Sequence, residues 1–170
     1  MTKYLWLTLG RDAVLDAVGY CDADWASQPH RHSTSGYVFY FGGGVMSWSS
    51  KKQQVISLSS TEAEYVSSTH AAKEALWLRT FVSELRSDSP CLVTLNCDNQ
   101  EAIALSKDNK FHARTKHIDL RYHFIRECVA GGRLTIDYVP TDENVSDIFT
   151  KPLPRAKFDY FVGRLGLREL

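Results

Sequence analysis

Glu64 stands where helical patterning asks for an apolar residue. In the stretch 59–85, SSTEAEYVSSTHAAKEALWLRTFVSEL, positions 64, 68, 71, 75, 78, 82 and 85 alternate steps of four and three, the spacing of one helical face. Ala71, Ala75, Leu78, Val82 and Leu85 make that face a core stripe, and Glu64 heads it. A carboxylate pointing inward costs several kcal/mol unless something positive neutralises it. Glu62 falls about 200° away around the helix, on the other side. The competing role for Glu64 is an ordinary first-turn acid, favoured by the helix dipole. A second acidic signal lies in 15–25, LDAVGYCDADW, a strand whose period-two face carries Val18, Tyr20, Asp22 and Asp24. Aspartate is disfavoured in strands, so two at the end of an apolar one face either solvent or a ligand. The strand over 91–98, CLVTLNCD, also ends on an acid, Asp98, and a helical turn over 144–151 carries Asp147. Four carboxylates on four elements, brought together, would bind hard divalent cations such as Mg2+. Two such ions about 3.5–4 Å apart activate a water and stabilise a leaving oxygen in phosphodiester cleavage.

The elements that must position these acids read as follows. A short apolar start over 1–14, with Trp6 and Leu9 packing on the domain surface, precedes the first strand, so the domain is expected over 15–170. Aromatic and β-branched residues over 35–41 and 45–50 flank Gly42-Gly43-Gly44 and form a hairpin; 55–58 extends its second strand. Ser59, Ser60 and Thr61 offer an N-cap to the long helix. After a loop over 87–90 come the strand ending on Asp98, a short helix over 99–106, a basic loop over 107–116, a helix over 118–130, a strand over 133–139 and a final amphipathic helix over 158–165. Strands first, then alternating helices and strands, predict a mixed α/β domain with helices on the sheet faces. Trp48 and Trp77 are expected in the core, and Trp25 beside Asp22 as support for the acids. Cys21 and Cys97, each preceding an aspartate, should turn to the opposite face as core thiols.

The chain has 170 residues, enough to bury one core without staples, and no apolar run approaches membrane-spanning length. An intracellular protein without a membrane partner is expected. Cys21, Cys91, Cys97 and Cys128 form no CxxC pair, which excludes common zinc spacings and points to free thiols. Formal net charge is zero, so the composition does not advertise nucleic-acid binding. The distribution is uneven: residues 107–126 hold six Lys/Arg against Asp108 and Asp119, a local excess of four positive charges. Such a patch can bind phosphate on a neutral molecule.

The motifs GYCDADWAS, STSGYVFYFGGGVMSWSSKKQ, LSSTEAEY, CDNQEAIAL, RTKHIDLRYHFIRE and SDIFTKPL, in this order over about 15–154, resemble the ribonuclease H domain of copia-type LTR retrotransposon polyproteins. The resemblance implies an α/β ribonuclease H-like fold with a five-stranded mixed sheet, order 3-2-1-4-5, flanked by helices. Residues 1–14 would be the connection from a preceding reverse transcriptase region. It implies a site of Asp22, Glu64, Asp98 and Asp147, catalytic and metal-binding at once, over the competing Asp24 and Glu62. Two Mg2+ ions, or Mn2+ in their place, would support hydrolysis of the RNA strand of an RNA–DNA hybrid during reverse transcription. Gln100 matches a minor-groove residue of the family, where the 2′-hydroxyl marks the RNA strand, and Asn99 beside it is placed for the same contacts. Ser60 and Thr61 at a helix N-terminus are candidates for a DNA-strand phosphate, and Arg114, Lys116 and His117 for further phosphates. Expected partners are the hybrid and the reverse transcriptase domains of the same polyprotein, in a cytoplasmic virus-like particle or the nucleus. The alternative is a catalytically idle hybrid-binding or structural module; another nuclease or integrase of the same fold is a third reading. One departure stands out: the histidine that many cellular ribonucleases H carry before the last aspartate is absent from PTDENVS.

Overall fold

The computed structural model describes residues 5–7, 17–27, 29–86, 92–107 and 116–169, without the side chains of 29, 85, 86, 116–120 and 122. Five strands form the main sheet: β1 (Ala17–Asp24), β2 (Thr34–Phe41), β3 (Gly44–Lys52), β4 (Val93–Cys97) and β5 (Leu134–Tyr138). Their spatial order is β3-β2-β1-β4-β5, with β1, β2 and β3 antiparallel and β4 and β5 parallel to β1 and to each other. This is the expected sheet. Gly42 and Gly43 both take positive φ, the conformation a tight hairpin between β2 and β3 requires. The helices are α1 (Ser60–Arg86), α2 (Gln100–Lys107), α3 (Lys116–Ala130) and α4 (Arg155–Arg164), with a 3-10 turn at Val145–Phe149. Outside the main sheet, Trp6–Leu7 pairs antiparallel with Leu167–Arg168; the expected domain boundary at 14/15 lies outside the described residues.

Two cores sandwich the sheet. Cys21, Phe39, Leu95, Cys97 and Ile136 pack with the stripe Ala71, Ala75, Leu78 and Val82 of α1. On the other face Val38 and Val45 meet Val145, Phe161 and Leu165 of the C-terminal layer. Alternation along β1 therefore sends Cys21 to the α1 side and its neighbour Asp22 to the opposite side.

Two expectations fail, for identifiable reasons. The extension over 55–58 does not form, because the chain leaves β3 at Lys52 and turns Gln53 inward. There the Gln53 amide donates to Ser35 Oγ and to the Ala63 carbonyl, and its oxygen accepts from Ser57 Oγ, which anchors the start of α1. Trp48 and Trp77, expected in the core, are 58% and 57% exposed. Trp77 lies between the stripe residues Ala75 and Leu78, about 160° around from one and about 100° from the other, and Trp48 lies on the edge strand. Helix boundaries also move: α3 begins at Lys116, and α4 begins at Arg155 directly after Pro154, whose fixed φ suits the residue preceding a helix.

Gly36 sits opposite Asp22 in the β1–β2 ladder. A methyl group there would meet Thr150 Cγ2 at 2.6 Å and Phe149 Cβ at 2.9 Å, so only glycine lets the 3-10 turn approach the sheet beside Asp22. Gly36→Ala is expected to cost about 1–3 kcal/mol through this overpacking, read by urea unfolding. Unchanged stability would show that the turn shifts freely.

Candidate metal centre

Each acid is delivered by the end of an element. Asp22 closes the buried part of β1 and is 2% exposed, while Asp24 projects to a half-buried position. Asp98 follows the last residue of β4. Glu64 occupies the first turns of α1 at 7% exposure. Glu62 points away: its Oε2 accepts from the Leu58 backbone N–H, and its own N–H donates to Ser59 Oγ, a capping arrangement. Asp147 lies within the 3-10 turn and is fully buried. Ligand oxygens of Asp22, Asp98 and Asp147 lie within 4.8 Å of one another, and Asp98 also groups with Glu64 and Cys97 at that distance.

Polar side chains deep in the fold hold these ends together. Ser67 Oγ of α1 donates to the backbone oxygen of Asp22 at 2.7 Å. Asn144, fully buried, donates to the Cys21 carbonyl at 3.0 Å, and its own oxygen accepts from the Ser146 N–H and hydroxyl. One side chain thus caps the turn carrying Asp147 and ties it to β1. Trp25, 46% exposed, donates from its indole to the Ser57 carbonyl at 3.0 Å and pins the strand end to the loop before α1.

The charges are poorly balanced. Burial is the main reason the Asp22 carboxyl is pushed up to about 6, against the pull of Lys151 and Thr150 and with the repulsion of Asp147 and Asp98 added. Glu64 is raised well above its ordinary value, first by burial and then by Asp22. Two lysines oppose this. Lys151 Nζ stands 2.9 Å from Asp147 Oδ1 and 3.6 Å from Asp22 Oδ2, and Lys157 Nζ donates to Asp147 Oδ2 at 2.9 Å. Thr150 Oγ1 donates to Asp22 Oδ2. Burial works against the charge on Lys151, yet Asp22 and Asp147 outweigh it and hold the ammonium above its ordinary value. Two ammonium groups against four carboxylates leave the cluster short of positive charge. Glu64 Oε2 is buried without a hydrogen-bond partner, and so is Asp147 Oδ1, whose close contact with Lys151 is not aligned for one. An orphaned buried oxygen in an over-negative set of oxygen donors fits a hard divalent cation. The buried Cys97 thiol is a soft donor and does not suit it.

The other expected contacts are distributed differently. Ser60 and Gln100 are exposed first residues of α1 and α2. Thr61 Oγ1 is engaged with Glu101 at 2.7 Å, and Asn99 Oδ1 accepts the Ala102 N–H at 2.9 Å as the cap of α2. Lys116 and His117 open α3, but their side chains, like Arg114 as a whole, lie outside the described residues. Sequence reasoning missed Lys151, Lys157 and Asn144. Lys151 had a legible signal, a cation four residues after Asp147 on a helical turn, and Asn144 had one as a favoured N-cap residue at the start of that turn; Lys157 had none.

Two outcomes follow from the charge imbalance. The folded state binds the Asp22 proton more tightly than the unfolded chain, so this contribution to stability is present below pH 4 and is lost as pH rises through about 6. Without metal, Asp22→Asn should therefore become more stable than wild type, by on the order of 2 kcal/mol at pH 7 and by little at pH 4. Parallel stability–pH curves for the two proteins would refute the charge argument. Lys151→Met should lower the melting temperature in EDTA, and added Mg2+ should recover more of it than wild type gains. A melting temperature unmoved in EDTA would mean that Lys151 neutralises nothing.

The chain was compared with known proteins. No family model matches it. It is 48% identical over 161 residues to the "Retrovirus-related Pol polyprotein from transposon TNT 1-94" of Nicotiana tabacum, covering 94% of this chain and 12% of that protein. It is 39% identical over 163 residues to the corresponding polyprotein from transposon RE1 of Arabidopsis thaliana, covering 95% of this chain and 11% of that one. The chain thus spans about an eighth of the length of these relatives. Among solved structures, LC11-RNase H1 in complex with an RNA/DNA hybrid superposes with a TM-score of 0.58 at 14% identity, over 79% of this chain and 94% of that one. The foamy viral protease-reverse transcriptase in complex with RNA/DNA hybrid gives 0.54 at 17% identity, over 80% and 19%. The sheet order and flanking helices are those of the ribonuclease H-like fold, and by sequence the chain is related to a segment of the retrovirus-related Pol polyproteins of transposons, a segment that here takes that fold.

Proposed function

We propose that this domain is a divalent-metal-dependent endonuclease that hydrolyses the RNA strand of RNA–DNA hybrids during retrotransposon reverse transcription. The observation that carries the reading is the convergence of Asp22, Asp98 and Asp147 within 4.8 Å, with Glu64 joined through Asp98, on a fold shared with hybrid-binding ribonucleases. The ordered copia-type motifs and the transposon relatives support the setting.

Asp22, Glu64, Asp98 and Asp147 would hold two Mg2+ ions, or Mn2+ in their place; Asp98 is common to both acidic groups. When bound, the pair supplies Lewis-acid activation of a water and charge neutralisation at the leaving 3′ oxygen. The chain's own residues do the rest. The buried backbone bonds from Ser67 and Asn144 hold the acids without help from the substrate, so little reorganisation remains at the moment of reaction. Lys151, 31% exposed at its side chain and already between Asp22 and Asp147, holds positive charge beside the place where a phosphate would lie. The exposed Gln100 at the start of α2 and Ser60 at the start of α1 flank the acids, placed for the minor groove and for a phosphate respectively. The reverse transcriptase domains of the same polyprotein are the proposed partner in gripping the hybrid.

The test is cleavage of an end-labelled RNA–DNA hybrid in Mg2+ or Mn2+. Wild type should cut only the RNA strand, and Asp98→Asn should lose at least a thousandfold in rate while still binding the hybrid. Hybrid binding without cutting by wild type, in the presence of its polymerase domains, would favour the idle module instead. Cleavage that survives in Asp98→Asn would place the chemistry elsewhere.

A further inference from the structure

A second feature lies on the outer side of α1, away from the acids. His70, Lys73 and Trp77 follow each other at steps of three and four, on a face about 100–160° around from the buried stripe. Between this face and the edge strand β3 runs a groove of about 480 Å³, lined by Lys51, His70, Lys73, Glu74 and Trp77 with Tyr37 on its floor. A smaller recess of about 90 Å³ shares Lys51 and His70 with it and adds Lys52 and Arg121. Arg121 belongs to α3, the described continuation of the basic segment.

Three properties distinguish this groove. Its cations form no contact ion pair: among the described residues none includes Lys51, Lys52, Lys73 or Arg121, whereas Lys151, Lys157 and Arg155 are all paired. Its lining carboxylate, Glu74, accepts a hydrogen bond from Ser47 at 2.6 Å. Its aromatic wall is preformed: the Trp77 ring, 57% exposed, stacks on Phe81 with centroids 5.3 Å apart and planes 8° from parallel, so one broad side chain is held rigid beside the lysines. The charges also act together, since burial and then Arg121, Lys73 and Lys51 push the His70 imidazole below its ordinary value.

Four cations, Lys51, Lys52, Lys73 and Arg121, around one lining carboxylate, Glu74, leave an excess of positive charge that raises the energy of the folded state unless a further anion joins them. A basic groove beside an aromatic face is the combination that takes single-stranded polynucleotides: cations follow the phosphates while a base stacks on the ring. A duplex keeps its bases stacked on each other and offers a side-chain ring nothing to stack on except at an end. We propose that the groove between α1 and β3 binds a single-stranded stretch of DNA or RNA, with Lys51 and Lys73 on its phosphates and Trp77 under a base. His70 lies six residues along α1 from Glu64 and Trp77 thirteen, about 9 and 20 Å of helix axis. A strand running from the acids along α1 spans that distance in a few nucleotides. The site does not depend on whether the acids cleave.

The experiment is titration of fluorescein-labelled oligo(dT) and oligo(U) onto the whole chain in EDTA, over a salt series, with hydrolysis of a blunt-ended hybrid in Mg2+ followed in parallel. Compared are wild type, Lys51→Ala/Lys73→Ala, Trp77→Ala and the conservative Trp77→Tyr; these side chains are exposed, and thermal melts check that each variant folds. The double lysine variant should bind about tenfold more weakly, with a log K against log salt slope shallower by about 1.4, two phosphate contacts on a single strand. Trp77→Ala should weaken binding about tenfold, the loss of one stacked base, at an unchanged slope, and Trp77→Tyr should recover most of it. Blunt-hybrid hydrolysis should stay at the wild-type rate in all variants. Wild-type affinity in the lysine variant overturns the proposal. So does a loss confined to the lysines with Trp77→Ala unaffected, which would mark a general polyanion patch. If wild type binds the oligonucleotides but cuts no hybrid even with its polymerase domains added, the nuclease reading fails and this one stands. Preference between oligo(dT) and oligo(U) identifies which strand uses the groove.

Discussion

Four carboxylates pressed together at one end of a sheet repel each other, and burial strengthens the repulsion by removing the water that would screen it. Much of the surrounding structure answers that constraint. Buried polar side chains, normally avoided in a core, cluster here: Gln53, Ser67, Ser68, Asn144 and Ser146 are each 3% exposed or less. Gln53, Ser67, Asn144 and Ser146 spend their hydrogen bonds on backbone groups or on one another, which fixes the ends of β1, α1 and the 3-10 turn. The acids stay close because their backbones are held, at an electrostatic cost that a divalent cation would offset.

The arrangement also explains why both faces of the sheet are needed. The α1 layer supplies Glu64 and the large apolar core, and the smaller C-terminal layer supplies Asp147 and both compensating lysines. Neither layer alone could build the cluster. It forms at the carboxyl ends of the adjacent parallel strands β1 and β4, where open α/β sheets leave space for ligands. Gly36 gives the C-terminal layer its close approach, and Asn144 makes that approach specific.

A net charge of zero conceals a strong segregation. Acids gather at the sheet end and consume Lys151 and Lys157, while the groove between α1 and β3 carries cations that outnumber its one carboxylate, Glu74. In the proposed reading, this excess would give a polyanion a path beside the acids, which suits a strand whose phosphates must approach fixed carboxylates.

Much of this was legible before any coordinates. Residue patterning and turn signals located the five strands of the main sheet and the four helices among the described residues, and the stripe through Ala71, Ala75, Leu78 and Val82 put Glu64 in an inward register, because side-chain direction in a regular element follows from spacing; it left open whether Glu64 was only a first-turn acid. Other features were not legible, for one reason: they depend on contacts between residues far apart in the chain. Period two left Asp22 and Asp24 on one face, and only the depth to which β1 runs beneath the C-terminal layer separates them. Trp77 reads as core by its chemistry and is exposed because it lies off the buried stripe of α1. Thr150 meets Asp22 across 128 positions, and Lys157 reaches Asp147 only because α4 folds back over the turn. Local sequence determined which elements form and which way their side chains point. The tertiary structure decided which charges meet, since pairing requires the chain to close long loops that leave no periodic trace in the sequence.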